Sequence, residues 1–196
     1  DIKSGTQLAE TLTAQLQTLS SDLHLKVHFS PAVLPHLEPQ TEIPVAELDR
    51  QKQQGALRNF DFNRVERLRG NIGYLEIFSF EPPEFAGATA AASLQFLSNT
   101  SALIIDLRYN RGGSASMVSL LTSYLLPAYP SVHLTDLVWP KEARTQQFWT
   151  LPHVEGPRYL DKPVYVLIGP ETYSAAEEIA YNLKHLKRAV IVGETP

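Results

Sequence analysis

The sequence predicts an α/β fold with a mostly parallel sheet, and three observations lead to this prediction. Short apolar runs rich in β-branched residues recur at residues 102–107, 164–168 and 189–192, as in strands buried on both faces of a sheet. Between these runs, apolar residues repeat every three or four positions, which is typical of amphipathic helices. Strands that alternate with helices in this way favour a mostly parallel sheet.

The first 57 residues predict a small, largely helical N-terminal part. Ser4 and Gln7 have the spacing of a capping box, and a stripe of leucines follows on one helical face. Apolar and polar residues then alternate over residues 23–29, which predicts a half-buried strand. The prolines of residues 31–44 indicate a connecting segment, and residues 45–57 are expected to be helical.

Residues 58–196 form the predicted α/β core. We expect an antiparallel hairpin around Arg69 and Gly70, followed by alternating helices and strands. In chain order, the predicted elements are strands at 65–68 and 71–80, a helix at 86–97, a strand at 102–107, a helix at 116–126, a strand at 132–139, an irregular loop at 140–161, a strand at 164–168, a helix from 175 and a strand at 189–192.

The composition is that of an ordinary globular protein, with 43% hydrophobic and 19% charged residues. The net charge of −4 argues against nucleic acid as a partner, and no apolar run has the length of a membrane span. Because the chain has no cysteine, a disulfide framework, a thiolate metal site and a cysteine nucleophile are excluded. The chain begins at Asp1 and ends directly after the last predicted strand, so we expect the natural protein to be longer at both ends.

Ser174 stands where the strand at 164–168 gives way to a helix, and its position has two explanations. Ser174 and Glu177 form an S-x-x-E capping box, in which the serine does no chemistry. Alternatively, the free N–H groups and positive dipole of the helix start favour a developing alkoxide or oxyanion beside a serine that has a base. No G-x-S-x-G elbow, P-loop or dinucleotide fingerprint is present, so lipase-type hydrolases and nucleotide enzymes are excluded.

Gly112 and Gly113 follow the strand at 102–107, and they also have two explanations. Two glycines after a strand most often make a sharp turn with positive φ. Backbone without side chains can also point N–H groups at a carbonyl oxygen, as an oxyanion hole requires. Because ligands bind at the carboxyl ends of strands in open α/β sheets, we expect this turn and the turn at Ser174 to share one edge.

His24 and His28 are four residues apart, which is the spacing of a zinc site on a helix. In a strand, four residues span about 13 Å, which is too far for two nitrogens on one zinc, so we exclude a metal site. On the residues alone, His24 is an exposed strand histidine.

Three stretches stand out together: residues 103–113, which end in D-L-R-Y-N-R-G-G, residues 172–177, T-Y-S-A-A-E, and residues 188–194, R-A-V-I-V-G-E. In this order they resemble the tail-specific, or C-terminal-processing, serine peptidases. Residues 71–75 and 21–25 resemble the branch that includes the tricorn core peptidase and the interphotoreceptor retinoid-binding protein repeats. The five stretches follow the order of that family, and the resemblance that they carry extends over most of the chain.

The resemblance implies a crotonase-like core of the ClpP/crotonase type and a peptidase that cuts near the C-termini of chains without a cofactor. Ser174 would be the nucleophile, His24 the general base, and the Ala175 N–H with Gly112 or Gly113 the oxyanion hole. Substrates would be peptide or protein C-terminal segments, and the usual location of the family is extracytoplasmic, either periplasmic or secreted. The orienting glutamate or dyad lysine of the family is expected beyond residue 196.

Two other functions stay open at this point. A non-catalytic module of the same fold would bind a lipophilic ligand, such as a retinoid or fatty acid, in an apolar cleft between the N-terminal part and the core. A peptide-holding adaptor with an inactive site would bind tail peptides without turning them over.

Overall fold

The computed structural model describes residues 2–32 and 43–196, and the chain divides into two compact units. The units are Asp1–Pro44 and Val45–Pro196. This division precedes the helix at 45–57, which the sequence assigned to the N-terminal part. The helix packs within the second unit, because a Cβ atom placed on Gly55 would lie 2.8 Å from the ring of Phe60.

The described part of the first unit contains the helix α1 (Gly5–Ser20), which begins where the sequence predicts. The Ser4 hydroxyl oxygen accepts a hydrogen bond from the Gln7 N–H at 3.1 Å and so caps the helix. An N-cap serine of this kind satisfies one of the free N–H groups of the first turn. The predicted capping box therefore marks the start of α1 correctly.

The strand predicted at residues 23–29 is wrong. In the part of the chain that the structure describes, these residues pair with no other strand. Their backbone instead bonds to side chains of α1: the Thr13 hydroxyl accepts from the Val27 N–H at 2.9 Å, and the Gln17 amide donates to two carbonyl oxygens, those of Leu23 and Leu25. Polar side chains of α1, rather than the backbone of a second strand, are the hydrogen-bond partners of these residues. The alternating pattern therefore does not produce strand pairing.

The second unit carries the sheet and the remaining helices. Its elements are α2 (Val45–Leu57), β1 (Phe62–Leu68), β2 (Ile72–Ile77), α3 (Pro83–Leu97), β3 (Ala102–Asp106), α4 (Ala115–Leu125), β4 (His133–Trp139), β5 (Arg144–Trp149), β6 (Val164–Ile168), α5 (Ala175–His185) and β7 (Val190–Gly193), with short 3-10 turns at Asn59–Asp61 and Pro140–Glu142.

Five strands form one sheet in the order β1-β2-β3-β6-β7. The β1 and β2 strands are antiparallel, and every other neighbouring pair is parallel. At the centre, Leu103 and Ile105 of β3 pair with Val164 and Val166 of β6, and all four side chains are buried. Helices α3, α4 and α5 contribute the buried Leu97, Met117 and Ile179, among others, to the same core, so the predicted mostly parallel α/β fold is confirmed.

A separate two-stranded ladder joins β4 and β5. The sequence predicts an irregular loop over residues 140–161, and this prediction is wrong for β5. The β5 residues, R-T-Q-Q-F-W, are all exposed apart from Phe148. A strand with so few apolar residues carries no clear hydrophobic alternation, which is why the sequence pattern misses it.

Candidate active site

Two turns lie side by side at the carboxyl ends of β3 and β6, as the sequence leads us to expect. Asp106, the last residue of β3, pairs with Leu167 of β6, so both strands leave the sheet at one level. The buried Thr172 then links the turns, because its hydroxyl donates to the Leu107 carbonyl oxygen at 2.8 Å. A second link runs from the Tyr173 N–H to the Asn110 carbonyl oxygen at 3.0 Å. Residues 107–114 and 169–174 therefore form one joined edge.

Ser174 occupies a strained position in this edge. Its backbone has φ 57° and ψ −121°, which lies outside the regions that a residue with a side chain normally adopts. Such a conformation costs on the order of 1–3 kcal/mol and persists only where the surrounding structure enforces it. Hydrogen bonds on both sides of the serine do so here, since the Ala176 N–H bonds to the Tyr173 carbonyl oxygen and the Ser174 N–H bonds to Glu177.

The capping box predicted for Ser174 is confirmed at the start of α5. The Glu177 carboxylate accepts from the Ser174 N–H at 2.6 Å. The Glu177 N–H in turn donates to the Ser174 carbonyl oxygen at 2.9 Å. The Ser174 side chain also accepts from that N–H, which it shares with the Ser174 carbonyl oxygen. Because a hydroxyl that accepts a hydrogen bond still carries its own proton, capping leaves this proton available for donation.

Gly112 lies directly against Ser174. Gly112 is buried and has φ +86°. A Cβ atom placed on it would lie 2.7 Å from the Ser174 Cβ, 2.8 Å from the Tyr173 carbonyl oxygen and 3.0 Å from the Ala175 nitrogen. Contacts this short do not occur between real atoms, so the two turns approach as closely as they do only because this residue has no side chain.

The backbone N–H groups around Ser174 differ in their availability. The Gly112 N–H donates to the Asn110 side-chain oxygen at 2.8 Å. Over the described ranges 2–32 and 43–196, the N–H groups of Gly113 and Ala175 have no hydrogen-bond acceptor. Gly113 is exposed, with φ +132°, and Ala175 is the first residue of α5. Within the described residues, each turn thus has one N–H group without an acceptor: Gly113, next to Gly112, and Ala175, next to Ser174.

A buried carboxylate supports the start of the glycine turn. Asp106 accepts hydrogen bonds from the Arg108 guanidinium, at 2.6 to 3.1 Å, and from the Tyr74 hydroxyl at 2.6 Å. Burial acts to raise the pKa of Asp106, but the hydrogen bonds from Arg108 and Tyr74 outweigh it, so the pKa is lowered. Burial and the bond to Asp106 together raise the pKa of Tyr74 to about 12. The carboxylate is charged and holds Arg108 at the end of β3.

Two open cavities lie beside the joined edge, with volumes of about 450 and 380 Å³. They share Tyr109 and Glu171 in their linings. The larger one also contains Arg111, whose exposed guanidinium lies 3.6 Å from the Glu171 carboxylate. Charged and aromatic side chains therefore surround the turns that carry Ser174 and the glycines.

His24 belongs to the first unit, where it lies in a turn after α1. Its backbone N–H and its Nδ1 atom both contact the Asp22 carboxylate, at 2.8 and 2.9 Å. The backbone hydrogen bond from His24 is the main cause of a lowered pKa at Asp22. If Nδ1 carries the proton that Asp22 accepts, Nε2 is the basic nitrogen of the neutral ring. The Asp22 carboxylate therefore contacts the imidazole through its Nδ1 atom.

The structure groups Ser174, Ala175, Gly112 and Gly113, and it adds residues to which the sequence assigned no role. Asn110 and Thr172 join the two turns by hydrogen bonds. The sequence did contain a signal for Asn110, since an asparagine two residues before a glycine commonly bonds to its own backbone.

Within residues 2–32 and 43–196, no group of three or more acidic or histidine side chains is placed to hold a metal ion. None of the described helices is long and apolar enough to cross a membrane.

A family comparison decides the assignment of the chain. The profile of Peptidase family S41 matches residues 71–196, which is more than half of the sequence. The chain belongs to Peptidase family S41. The resemblance to serine peptidases found in the sequence is thereby confirmed at the level of this family. The narrower branch with the tricorn core and the retinoid-binding repeats stays a prediction.

Solved structures of S41 proteins have the same fold. A candidate S41 protease from Bacteroides fragilis NCTC 9343 is 25% identical, with a TM-score of 0.58 over 68% of this chain and 38% of that protein. A candidate peptidase from Parabacteroides merdae ATCC 43184 is 20% identical, with a TM-score of 0.52 over 72% and 47%. The photosystem II D1 C-terminal processing protease is 24% identical, with a TM-score of 0.49 over 65% and 32%.

The first two likenesses, with TM-scores above 0.5, confirm the predicted crotonase-like α/β core for this S41 member. The chain spans about a third to a half of the length of these three solved structures.

Proposed function

We propose that this S41 family member is a serine peptidase with Ser174 as its nucleophile. One observation carries the proposal: a strained serine at a helix start lies against a glycine turn, and among the described residues each of the two joined turns has one N–H group without an acceptor, at Gly113 and at Ala175. Strained backbone of this kind is concentrated at functional sites. The helix start and the two N–H donors favour negative charge next to the serine, which is what acyl transfer requires.

In the proposed reaction, the His24 Nε2 atom accepts the Ser174 hydroxyl proton while the serine oxygen bonds to a peptide carbonyl carbon. The carbonyl oxygen becomes an oxyanion, and the Ala175 and Gly113 N–H groups donate to it. Collapse breaks the C–N bond, and the imidazolium returns its proton to the leaving amine. Water then attacks the acyl-enzyme with the same base, releasing the acid and restoring Ser174. The reaction needs no cofactor.

Gly113 is the better candidate than Gly112 for the second oxyanion donor. The Gly112 N–H is already bonded to the buried Asn110 side chain, whereas the Gly113 N–H is exposed and unpaired within the described residues. Gly112 contributes by having no side chain, because this allows the two turns to meet.

We propose that the substrates are peptide or protein C-terminal segments. We also propose that the protein acts outside the cytoplasm, as the family resemblance implies.

A serine-directed fluorophosphonate probe tests the nucleophile. In the intact natural protein, we expect the probe to label Ser174, as read by mass spectrometry, and Ser174→Ala to abolish the labelling. Ser4→Ala is the matched control, because Ser4 also caps a helix but has ordinary extended backbone, unlike the strained Ser174. Labelling that persists in Ser174→Ala, or a folded protein that is never labelled, would contradict the mechanism and favour the ligand-binding module.

The base is tested separately with His24→Gln. We expect this substitution to slow labelling of Ser174 by about 100-fold, which is within the usual contribution of a general base. His28→Gln is the matched control on the same segment and should leave the labelling rate unchanged. Equal rates in both variants would remove His24 from the mechanism and leave Ser174 as the nucleophile of a different base.

A further inference from the structure

We propose that Asn110 is a positioning residue that sets the geometry of the oxyanion hole, an inference that rests on the proposed function. Asn110 has 0% of its surface exposed and lies between the glycine turn and the turn of the serine. Its side chain does not reach a substrate, so any effect on the reaction passes through the groups it holds.

The hydrogen bonds of Asn110 connect three elements of the site. Its Nδ2 donates to the Ile77 carbonyl oxygen at 2.9 Å, which anchors the residue to the end of β2. Its Oδ1 accepts from the Gly112 N–H at 2.8 Å. Its backbone carbonyl oxygen accepts from the N–H of Tyr173, the residue before Ser174, at 3.0 Å. One buried residue therefore fixes both turns relative to the sheet.

Asn110 acts together with the segment that follows β2 to determine which glycine N–H is presented: Asn110 holds the Gly112 N–H, and the Phe80 N–H and the Ser79 hydroxyl hold the Gly112 carbonyl oxygen. The peptide group before Gly112 is held by Asn110, and the carbonyl oxygen of Gly112 accepts from the Phe80 N–H at 2.8 Å. In a trans peptide, the C=O and the following N–H point in opposite directions. The Gly113 N–H therefore points away from Phe80 and stays free as a donor. With Asn110 in place, Gly113 rather than Gly112 serves as the partner of Ala175.

Removal of the side chain would release this arrangement. In Asn110→Ala, the Gly112 N–H and the Ile77 carbonyl oxygen both lose the hydrogen bond to Asn110 inside the core. The peptide group between Arg111 and Gly112 can then turn. A displacement of about 1 Å in a catalytic group can cost on the order of 100-fold in rate. In Asn110→Ser, the shorter side chain can still accept from the N–H two residues on, although more weakly.

The experiment measures the rate of fluorophosphonate labelling at Ser174, per folded molecule, in the intact natural protein. We expect Asn110→Ala to label on the order of 10- to 100-fold more slowly and Asn110→Ser to lie between it and the unaltered protein. If Asn110→Ala does not fold, Asn110→Ser gives the comparison. Thr100→Val is the matched control, because it removes a buried, doubly hydrogen-bonded hydroxyl that precedes β3, at the opposite end of that strand.

A second readout separates positioning from a purely structural role. In protein labelled with ¹⁵N-glycine, the Gly113 amide resonance should shift when Ser174 is phosphonylated, and this shift should be smaller in the Asn110 variants. Unchanged labelling rates in folded Asn110 variants, or an equal loss in Thr100→Val, would overturn this inference alone. An unaltered protein that is not labelled at Ser174 would overturn the proposed function, and this inference with it.

Discussion

Gly112→Ala should reduce labelling of Ser174 by at least about 100-fold, since loss of a single oxyanion donor already costs 10²–10³ in rate. The new methyl group would lie 2.7 Å from the Ser174 Cβ and 2.8 Å from the Tyr173 carbonyl oxygen. These atoms belong to backbone or to the first side-chain carbon, so they cannot move aside as a flexible side chain would. The two turns must separate, and the Ala175 N–H then leaves its place beside the glycine turn.

The same substitution should lower the free energy of unfolding by about 2–4 kcal/mol, because it combines steric overlap with an unfavourable φ. Gly70→Ala is a matched control: its φ is +82°, against +86° at Gly112, but the nearest atom to its new Cβ would be 4.0 Å away. We expect Gly70→Ala to lose about 1 kcal/mol and to keep full labelling. Urea denaturation and the labelling rate measure both effects. If Gly112→Ala behaves like Gly70→Ala, the close approach of the turns has no functional role.

Asp106→Asn should cost about 2–4 kcal/mol of unfolding free energy at pH 7, because hydrogen bonds to a charged group are stronger than neutral ones. Asp106 is 1% exposed, and the neutral side chain would leave the Arg108 guanidinium without its charged partner. This expected loss of unfolding free energy is smaller than that for breaking a fully buried ion pair, because Arg108 is 47% exposed and retains contact with water. Asp49→Asn, at an exposed position of α2, is the matched control and should change stability by less than about 0.5 kcal/mol.

The pH dependence of this loss has a definite sign. The folded-state pKa of Asp106 is lowered, so its contribution is fully present above the unfolded pKa of about 3.9 and is lost as the pH falls through the folded value. The difference between the unaltered protein and Asp106→Asn should therefore be constant at neutral pH and shrink below about pH 4. Urea denaturation at several pH values measures it. A difference that grows in acid would show that the carboxylate does not stabilise the fold through its charge.

Local chemistry explains which elements could be predicted from the sequence. A helix start depends on a few adjacent residues, so the boxes at Ser4 and Ser174 identify α1 and α5 directly. The central strands β3 and β6 read as continuous apolar runs, which identifies them as strands, although only one face of each is fully buried: Ile104 is half-buried and Tyr165 is exposed. The resemblance to a known family added the grouping of Ser174 with the glycine pair, which composition and periodicity alone leave open.

The features that escaped prediction depend on partners distant in sequence. Residues 23–29 show the alternation of a strand, but the side chains of Thr13 and Gln17 meet their backbone groups. Asn59, Phe60 and Asp61 have three consecutive positive φ values, although none is a glycine, and no local pattern marks such a turn. The contribution of Asn110 emerges only when its partners Ile77, Gly112 and Tyr173 are known together.

The hydrogen bond from Thr172 to Leu107 joins residues that are 65 positions apart. Contacts of such long range form late in folding, because a long loop must close before they contribute. Until β3 and β6 pair, Ser174 is an ordinary serine in a flexible chain, with no glycine turn beside it. If Ser174 is the nucleophile, as proposed, a growing or partly unfolded polypeptide carries no assembled centre, and the proposed chemistry requires a completed sheet.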